Sequence, residues 1–199
     1  ELIEAADGHL RTGFLGTPLL APVLDQAGHP ELAYKLLFKE SYPSWFYSIN
    51  QGATTLWERW NSYSHADGFG PVGMNSFNHY AYGAIGQWIY ERIAGLAPDP
   101  ANPGYKNLFN QPITGGTLSF ARAERTTRYG KAASGWEQSA DGWVVHATVP
   151  PNTTATLVVP TLSGKRPTVT RAGQPCPLEK RDGKLVYPVG PGTHSFHIV

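Results

Sequence analysis

The chain has 199 residues, of which 41% are hydrophobic and 16% are charged, and its 16 Lys and Arg nearly balance its 15 Asp and Glu. The hydrophobic share excludes a disordered charged tail, and no run reaches the roughly 18 apolar residues of a membrane span. The formal net charge is +1 and the sequence has no run of basic residues, so it offers no cluster of positive charges that could neutralise a row of phosphates. We therefore expect an ordered chain of one or two domains, with neither a nucleic acid nor a membrane as partner.

The first half of the sequence carries helical patterns. Thr17 is a good N-cap, Pro18 fits the first helical position, and Gly28 is a stop signal. Pro30 then opens a second helix, in which apolar residues recur at helical spacing. These residues are Leu32, Ala33, Leu36 and Leu37. The two segments predict an antiparallel helical hairpin.

A third and longer helix is predicted to follow a cap at Asn75 or Ser76 and to end at Gly95. His79 would lie in its first turn, where free backbone N–H groups favour a neutral imidazole and polar ligands. Tyr82 would fall off the apolar face. That face would comprise Phe77, Tyr80, Ala81, Ala84, Ile85, Trp88, Ile89 and Ile93.

The helical pattern ends at a Pro-rich segment, 98–103. Its three prolines in six residues indicate a stiff linker. We place the domain boundary there, between residues 1–97 and residues 104–199. In the second part, short runs with a period of two lie at 142–149, 155–159 and 185–187. Turn signals separate them at Pro150-Pro151-Asn152, Gly164 and Asp182-Gly183. Short strands at this spacing predict an antiparallel β-sandwich.

The most unusual string is Trp57-Glu58-Arg59-Trp60, a carboxylate between two large aromatic residues. Apolar neighbours would favour the neutral form of Glu58, whereas Arg59 would favour its charged form. Each feature also has a structural alternative to a functional role. Glu58 could form an ion pair with Arg59, His79 could be a hydrogen-bonded structural residue, and the aromatic residues could form a core. Aromatic faces beside carboxylates and hydrogen-bonding groups are what a sugar pocket requires, and this favours a functional interpretation.

Other chemistries find less support in the sequence. His65-Ala66-Asp67 has no third ligand at a metal-like spacing, so no metal is expected. The single Cys176 can form no intrachain disulfide and fits a small residue in a Pro-rich turn. The sequence has neither a Gly-x-Ser-x-Gly string nor a phosphate loop, and we expect no cofactor.

Four strings in the first half resemble, in order and approximate spacing, the C-terminal part of bacterial α-L-rhamnosidases of glycoside hydrolase family 78. They are Gly13-Phe14-Leu15-Gly16-Thr17-Pro18, Tyr42-Pro43-Ser44-Trp45, the segment 52–60 and the segment 74–83. Beyond the Pro-rich segment the resemblance continues through Pro103-Gly104-Tyr105-Lys106, Gly115-Gly116 and the segment 149–155. Only residues 160–199 are less distinctive.

The resemblance implies an α+β multidomain fold. Residues 1–97 would be the last helices of a partial (α/α)6 barrel, and an antiparallel β-sandwich of jelly-roll type would follow. It also implies an inverting hydrolase for terminal α-L-rhamnosides, with Glu58 as general base and His79 in contact with the rhamnose. Trp57 and Trp60 are further expected substrate-binding residues. The partner would be a rhamnose-containing glycoside or polysaccharide.

The family's general acid belongs to a motif that lies upstream of this segment and has no counterpart here. Asp67 and Glu40 are the internal alternatives, and no spacing recommends either. We therefore expect the isolated chain to be inactive. The helical face formed by Phe77, Ile85, Trp88 and Ile89 would need the missing barrel helices or self-association to cover it. Two other readings stay open: another (α/α)6-barrel glycoside hydrolase, and a non-catalytic carbohydrate-binding or structural fragment.

Overall fold

A computed structural model describes residues 2–160 and 167–199 of the chain, which divide into two compact units. The first unit ends at Trp88 and the second begins at Ile89, so this division precedes the Pro-rich segment 98–103 at which the sequence placed the boundary. The predicted turn at Gly164 lies outside the described residues. None of the helices in the described ranges has the length and apolar character that a membrane span requires.

The first unit is mainly helical. Its helices are α1 (Leu2–Ala5), α2 (Thr17–Gln26), α3 (Pro30–Leu37) and α4 (Trp45–Asn50). Strands β1 (Tyr63–Ser64) and β2 (Gly68–Phe69) form a small antiparallel hairpin, and a 3-10 turn follows at Val72–Met74.

Helices α2 and α3 follow one another as the predicted pair, with Gly28 at a φ of 84° in the connection. A positive φ is readily adopted only by glycine, which explains the stop signal. The N-cap is Gly16, so the prediction of Thr17 as the cap was wrong. The Thr17 hydroxyl instead donates to the Thr12 carbonyl oxygen at 2.9 Å and is used to fix the loop before the helix.

The predicted third helix begins later and is less regular than expected. Residues 75–80 are not helical, and the winding starts with a 3-10 turn at Ala81–Ala84. A single α-helical turn, α5 (Ile85–Trp88), and a π-helical turn (Ile89–Ile93) complete it. The start was predicted wrongly because the backbone of 76–79 bonds to residues 56–58, as described below. Tyr80 and Ala84 are consequently exposed, and Tyr82 is buried.

The helical unit has an aromatic core that includes Trp60 and Tyr82 beside Leu10 and Leu36. Trp88, which we expected to need a partner outside the chain, is only 2% exposed. Its indole N–H donates to Asp25 at 3.3 Å, and its ring meets the edge of Tyr34. Large apolar side chains are exposed elsewhere in the unit, and those along and just before α2 include Leu15, Leu19 and Val23.

The second unit is the predicted β-sandwich. Its first strands are β3 (Leu96–Pro98), β4 (Asn107–Asn110), β5 (Phe120–Thr127), β6 (Gly130–Gln138), β7 (Trp143–Val149) and β8 (Thr154–Val158). The remaining strands are β9 (Val169–Arg171), β10 (Gln174–Pro175), β11 (Glu179–Arg181), β12 (Lys184–Val189) and β13 (Gly192–Ile198). The fold class is therefore confirmed as helices followed by a sandwich, with β7, β8 and β12 at the predicted positions.

The strands form a six-stranded sheet, ordered β10-β9-β13-β7-β6-β5, and a five-stranded sheet, ordered β11-β12-β8-β4-β3. Neighbours pair antiparallel except β4 and β8, which are parallel. Trp136 and Phe196 from the first sheet pack with Leu108 and Leu157 from the second, and all four are fully buried. The Trp136 indole donates to the Ile93 carbonyl oxygen at 2.7 Å, so the core's largest side chain is also hydrogen-bonded.

The Pro-rich segment is built into the sandwich rather than forming a free linker. Strand β3 extends to Pro98, and Asp99 then closes the turn towards β4. The Asp99 carboxylate accepts hydrogen bonds from the Ala101 N–H (2.9 Å) and from the side-chain amides of Asn102 (3.0 Å) and Asn107 (2.8 Å). These donors hold the pKa of Asp99 below its ordinary value.

Replacing Asp99 with Asn is expected to lower the free energy of unfolding of the chain by about 1–3 kcal/mol at neutral pH, because an amide cannot accept all three bonds. A carboxylate whose pKa is lower in the folded state stabilises the fold at any pH above its unfolded-state pKa. This stabilisation is lost as the pH falls through the folded-state pKa. Urea unfolding at neutral and acidic pH should therefore show the difference from wild type shrinking in acid. Asp141→Asn, an exposed change in the β6–β7 turn, is the control. Equal effects of both variants would contradict this account.

Candidate active site

Two sequence strings that are distant along the chain lie side by side in the helical unit. The Glu58 N–H donates to the Ser76 carbonyl oxygen at 2.9 Å, and the His79 N–H donates to the Leu56 carbonyl oxygen at 2.8 Å. The Thr55 hydroxyl adds a bond to the Phe77 carbonyl oxygen. The structure thus places Glu58 and His79 on two adjacent non-helical segments held by backbone hydrogen bonds.

The Glu58 carboxylate is half-buried and anchored at one oxygen. Oε2 accepts the Ser76 N–H at 2.8 Å, and Oε1 has no hydrogen-bond partner among residues 2–160 and 167–199. Arg59 forms no ion pair with Glu58 in this part of the chain; its backbone N–H and carbonyl oxygen bond instead to the Ser62 hydroxyl. The structural ion pair considered above therefore receives no support. One carboxylate oxygen is fixed and the other is left available to a water molecule.

His79 precedes the helix, so its predicted position in a first helical turn was wrong. Its ring stacks on Phe14, with centroids 4.8 Å apart and an interplanar angle of 24°. It also lies parallel to the ring of the next residue, Tyr80. The Ala81 N–H donates to Nδ1 at 3.4 Å. An imidazole that accepts at Nδ1 carries its proton on Nε2. His79 can therefore donate a hydrogen bond from Nε2, which makes no bond within the described residues.

Trp57 and Trp60 are 7% and 8% exposed, so neither offers an open ring face. Trp57 meets the ring of Phe77 edge-on at 5.4 Å. Trp60 stacks on Tyr82 with centroids 3.8 Å apart, and Trp45 packs against it edge-on. Aromatic faces bind sugars only when they are accessible. Within this chain the two indoles are therefore buried against other aromatic rings, on either side of Glu58 in the sequence.

Three contributions to this arrangement were missed by the sequence reasoning. Phe14 comes from the loop before α2 and reaches both His79 and Tyr82, and no local pattern indicates this contact. Tyr82 falls on the polar face only of a helix that begins at residue 75 or 76, whereas the observed helical run begins at Ala81 and Tyr82 is buried. Its burial, together with the proximity of Tyr42, raises the pKa of the Tyr82 hydroxyl. The third contribution is the backbone N–H of Ser76, which sequence cannot assign.

The remaining candidates stay outside this arrangement. Asp67 exchanges hydrogen bonds with Ser64 in the β1–β2 turn, and Glu40 is exposed after α3. No three His, Cys, Asp or Glu side chains in the described ranges are grouped as metal ligands. Cys176 packs against the sandwich core, where burial raises the pKa of its thiol and so disfavours a nucleophilic thiolate.

Comparison with known protein families gives matches over most of the chain. Residues 1–93 match the family model described as the bacterial alpha-L-rhamnosidase 6 hairpin glycosidase domain. Residues 95–174 match the bacterial alpha-L-rhamnosidase C-terminal domain.

Curated relatives carry the same description. An alpha-L-rhamnosidase of Formosa agariphila is 54% identical over 203 residues, which cover 98% of this chain and 22% of the relative. One of Streptomyces avermitilis is 45% identical over 197 residues, which cover 99% of this chain and 19% of the relative. The chain thus spans about a fifth of the length of the curated relatives it matches.

Solved structures share the fold. The Streptomyces avermitilis alpha-L-rhamnosidase complexed with L-rhamnose matches with a TM-score of 0.87 and 45% identity, over 100% of this chain and 19% of its own. The native enzyme from Aspergillus terreus matches with a TM-score of 0.83 and 34% identity, over 100% of this chain and 20% of its own. Both units of the chain therefore have counterparts in one larger protein.

Proposed function

Because the chain belongs to the bacterial α-L-rhamnosidase family, we propose that it is a segment of an enzyme that hydrolyses terminal α-L-rhamnosides with inversion of configuration. The observation that carries this proposal is the Glu58 carboxylate, held by the Ser76 N–H at Oε2 and without a bond at Oε1 in the described chain. A carboxylate that is oriented but not consumed by an ion pair is suited to accept a proton from water.

In this proposal Glu58 is the general base. Its Oε1 takes a proton from a water molecule, whose oxygen attacks the anomeric carbon of the rhamnose. The bond to the aglycone oxygen breaks on the opposite face, and a second carboxylic acid protonates that oxygen. In inverting glycosidases the two carboxyl groups lie about 6.5–9.5 Å apart, which leaves room for the water.

His79 supplies a neutral hydrogen-bond donor to a rhamnose hydroxyl through Nε2. Phe14, stacked on the imidazole, restricts its rotation and so orients that donor. Trp57 and Trp60 contribute to the sugar pocket by supporting the segment that carries Glu58. Substrate positioning of this kind lowers the entropy that the reaction must lose at the transition state.

The general acid is proposed to come from a segment outside these 199 residues. The Asp67 carboxylate is bonded to Ser64, and Glu40 is exposed; neither is bonded to the segments that carry Glu58 and His79. The same outside segment, as further hairpins of the glycosidase domain, would cover the apolar side chains of Leu15, Leu19 and Val23 along α2.

We expect no turnover of methyl α-L-rhamnoside by the isolated chain, since base catalysis alone leaves its alkoxide leaving group unprotonated. Release of rhamnose, followed by a reducing-sugar assay, measures this, with circular dichroism confirming that the chain is folded. Addition of the remainder of the enzyme as a separate polypeptide is expected to restore activity. Turnover by the isolated chain that Glu58→Gln abolishes would contradict the assignment of the acid to another segment.

A further inference from the structure

The outer face of the six-stranded sheet carries a polar row that the proposed hydrolysis does not use. Arg122 on β5, Gly135 on β6, His146 on β7 and Ser195 on β13 are cross-strand neighbours. Side chains alternate along a strand, so this row points away from the core residue Trp136. A groove of about 180 Å³ lies on it. Its lining includes Arg122, Glu124, Ala133, Gly135, His146 and Thr148.

A continuous hydrogen-bond network fixes one side of this groove. The Arg122 guanidinium donates to Glu137 Oε2 at 2.7 Å, and Glu137 Oε1 lies 3.3 Å from His146 Nε2. His146 Nδ1 lies 3.0 Å from the Ser195 hydroxyl. Both partners hold the pKa of Glu137 below its ordinary value, so the group is a carboxylate at neutral pH. The side chains are therefore ordered before any ligand arrives.

The floor of the groove depends on small residues. A Cβ on Gly135 would lie 2.7 Å from the Ala121 carbonyl oxygen and 2.8 Å from Arg122 Cγ. Gly135 therefore lets the aliphatic part of Arg122 cross the strand towards Glu137. Phe120 does not line the groove, but its ring is 59% exposed and its centroid lies 6.0 Å from the guanidinium of the lining residue Arg122.

The formal charges around the groove are already matched. Arg122 pairs with Glu137, and Glu124 pairs with Lys131. An anion or a cation would have to compete with one of these pairs, whereas a neutral ligand would not. A guanidinium has five N–H donors, and in the described chain only one bond from Arg122, to Glu137, is present. The groove thus offers donors, carboxylate lone pairs and the Thr148 hydroxyl above a small-residue floor.

We propose that this groove binds a neutral sugar, an α-L-rhamnosyl residue of the glycoside class on which the enzyme is proposed to act. Hydroxyl groups both donate and accept, which matches the mixed donors and acceptors of the groove, and the C–H face of a sugar fits against Phe120. The inference rests on the proposed function for the choice of sugar.

The test is a titration of the full ¹⁵N-labelled chain with methyl α-L-rhamnoside, followed by NMR. Saturable shifts are expected at the amides of Gly135 and Thr148. Arg122→Ala should weaken this binding at least about tenfold, because it removes the charged donor. Ala133→Leu, which fills the groove without altering the network, should also abolish the shifts. Arg128→Ala, an exposed arginine in the turn of the same hairpin, should leave binding unchanged.

Separate reporters keep this inference distinguishable from the proposed function. Shifts confined to residues 56–60 and 76–79 would overturn the groove as a sugar site and leave the proposed function standing. Shifts at the groove with sodium phosphate but not with the rhamnoside would also overturn it. Groove shifts that persist in Glu58→Gln support the sandwich site whatever the outcome of the activity assay.

Discussion

Replacing Glu58 with Gln in the enzyme that carries this chain is expected to lower kcat about 10²–10⁴-fold, with little change in KM. The Gln side-chain oxygen can still accept the Ser76 N–H, so the local geometry is kept while the ability to take a proton from water is lost. The variant should bind substrate as the wild type does but lack the base in the transition state, so kcat falls while KM stays nearly constant. Steady-state hydrolysis of an aryl α-L-rhamnoside measures both.

Glu40→Gln is the matched control, because Glu40 is an exposed carboxylate in the same unit. It should leave kcat unchanged. The wild-type enzyme should release β-L-rhamnose from an α-L-rhamnoside, visible by NMR before the anomers equilibrate. Release of the α anomer would instead make Glu58 a nucleophile, and equal kcat values for the two variants would remove it from the chemistry altogether.

The parts of the fold that the sequence predicted are those determined by local patterns. The α2–α3 pair follows from apolar spacing bounded by Pro30 and Gly28, and the sandwich follows from short runs of period two. The third helix was misjudged because the segment 76–79 bonds to 56–58 across an intervening hairpin. The spacing of apolar residues does not reveal that residues distant along the chain bond to the same backbone groups.

The Pro-rich segment illustrates the same limit in the second unit. Its composition is typical of a linker, yet Asp99 gathers three donors and fixes the segment as a turn between paired strands. Two of these donors, Asn102 and Asn107, are close in sequence, but their geometry depends on the pairing of β3 with β4. A rigid local structure is therefore possible where composition alone indicates a spacer.

In the candidate site, the residue types were accessible from sequence and their supports were not. The chemistry of Glu58 and His79, and the resemblance of their sequence segments to a known family, predict both as site residues. The structure brings these segments together. The anchoring N–H of Ser76, the stacked ring of Phe14 and the buried ring of Tyr82 all act through tertiary packing. Orientation of a functional group is a property of its neighbours, which sequence spacing does not reveal.

The largest stability effect is expected for Gly95→Ala, between the π-helical turn Ile89–Ile93 and strand β3. Gly95 has a φ of 85°, which costs a non-glycine residue about 1–2 kcal/mol. In addition, an alanine Cβ would lie 2.5 Å from the Pro112 backbone nitrogen and 2.8 Å from its Cα. Backbone atoms cannot rotate away as a side chain can, so the chain around Pro112 must shift, at a further cost of about 1–3 kcal/mol. The flanking residues Ala94 and Leu96 are buried in the core, and the strain cannot be relieved there.

Gly104→Ala separates the two contributions. Gly104 has a similar φ of 77°, but a Cβ there would meet nothing within 4 Å. Urea unfolding of the full chain should show a loss of about 1–2 kcal/mol for Gly104→Ala and about 2–5 kcal/mol for Gly95→Ala. The difference between the variants measures the steric conflict with Pro112, because the conformational cost of a positive φ is common to both. Equal losses would mean that the backbone around Pro112 yields freely, and the close approach of Gly95 would then contribute nothing to the requirement for glycine.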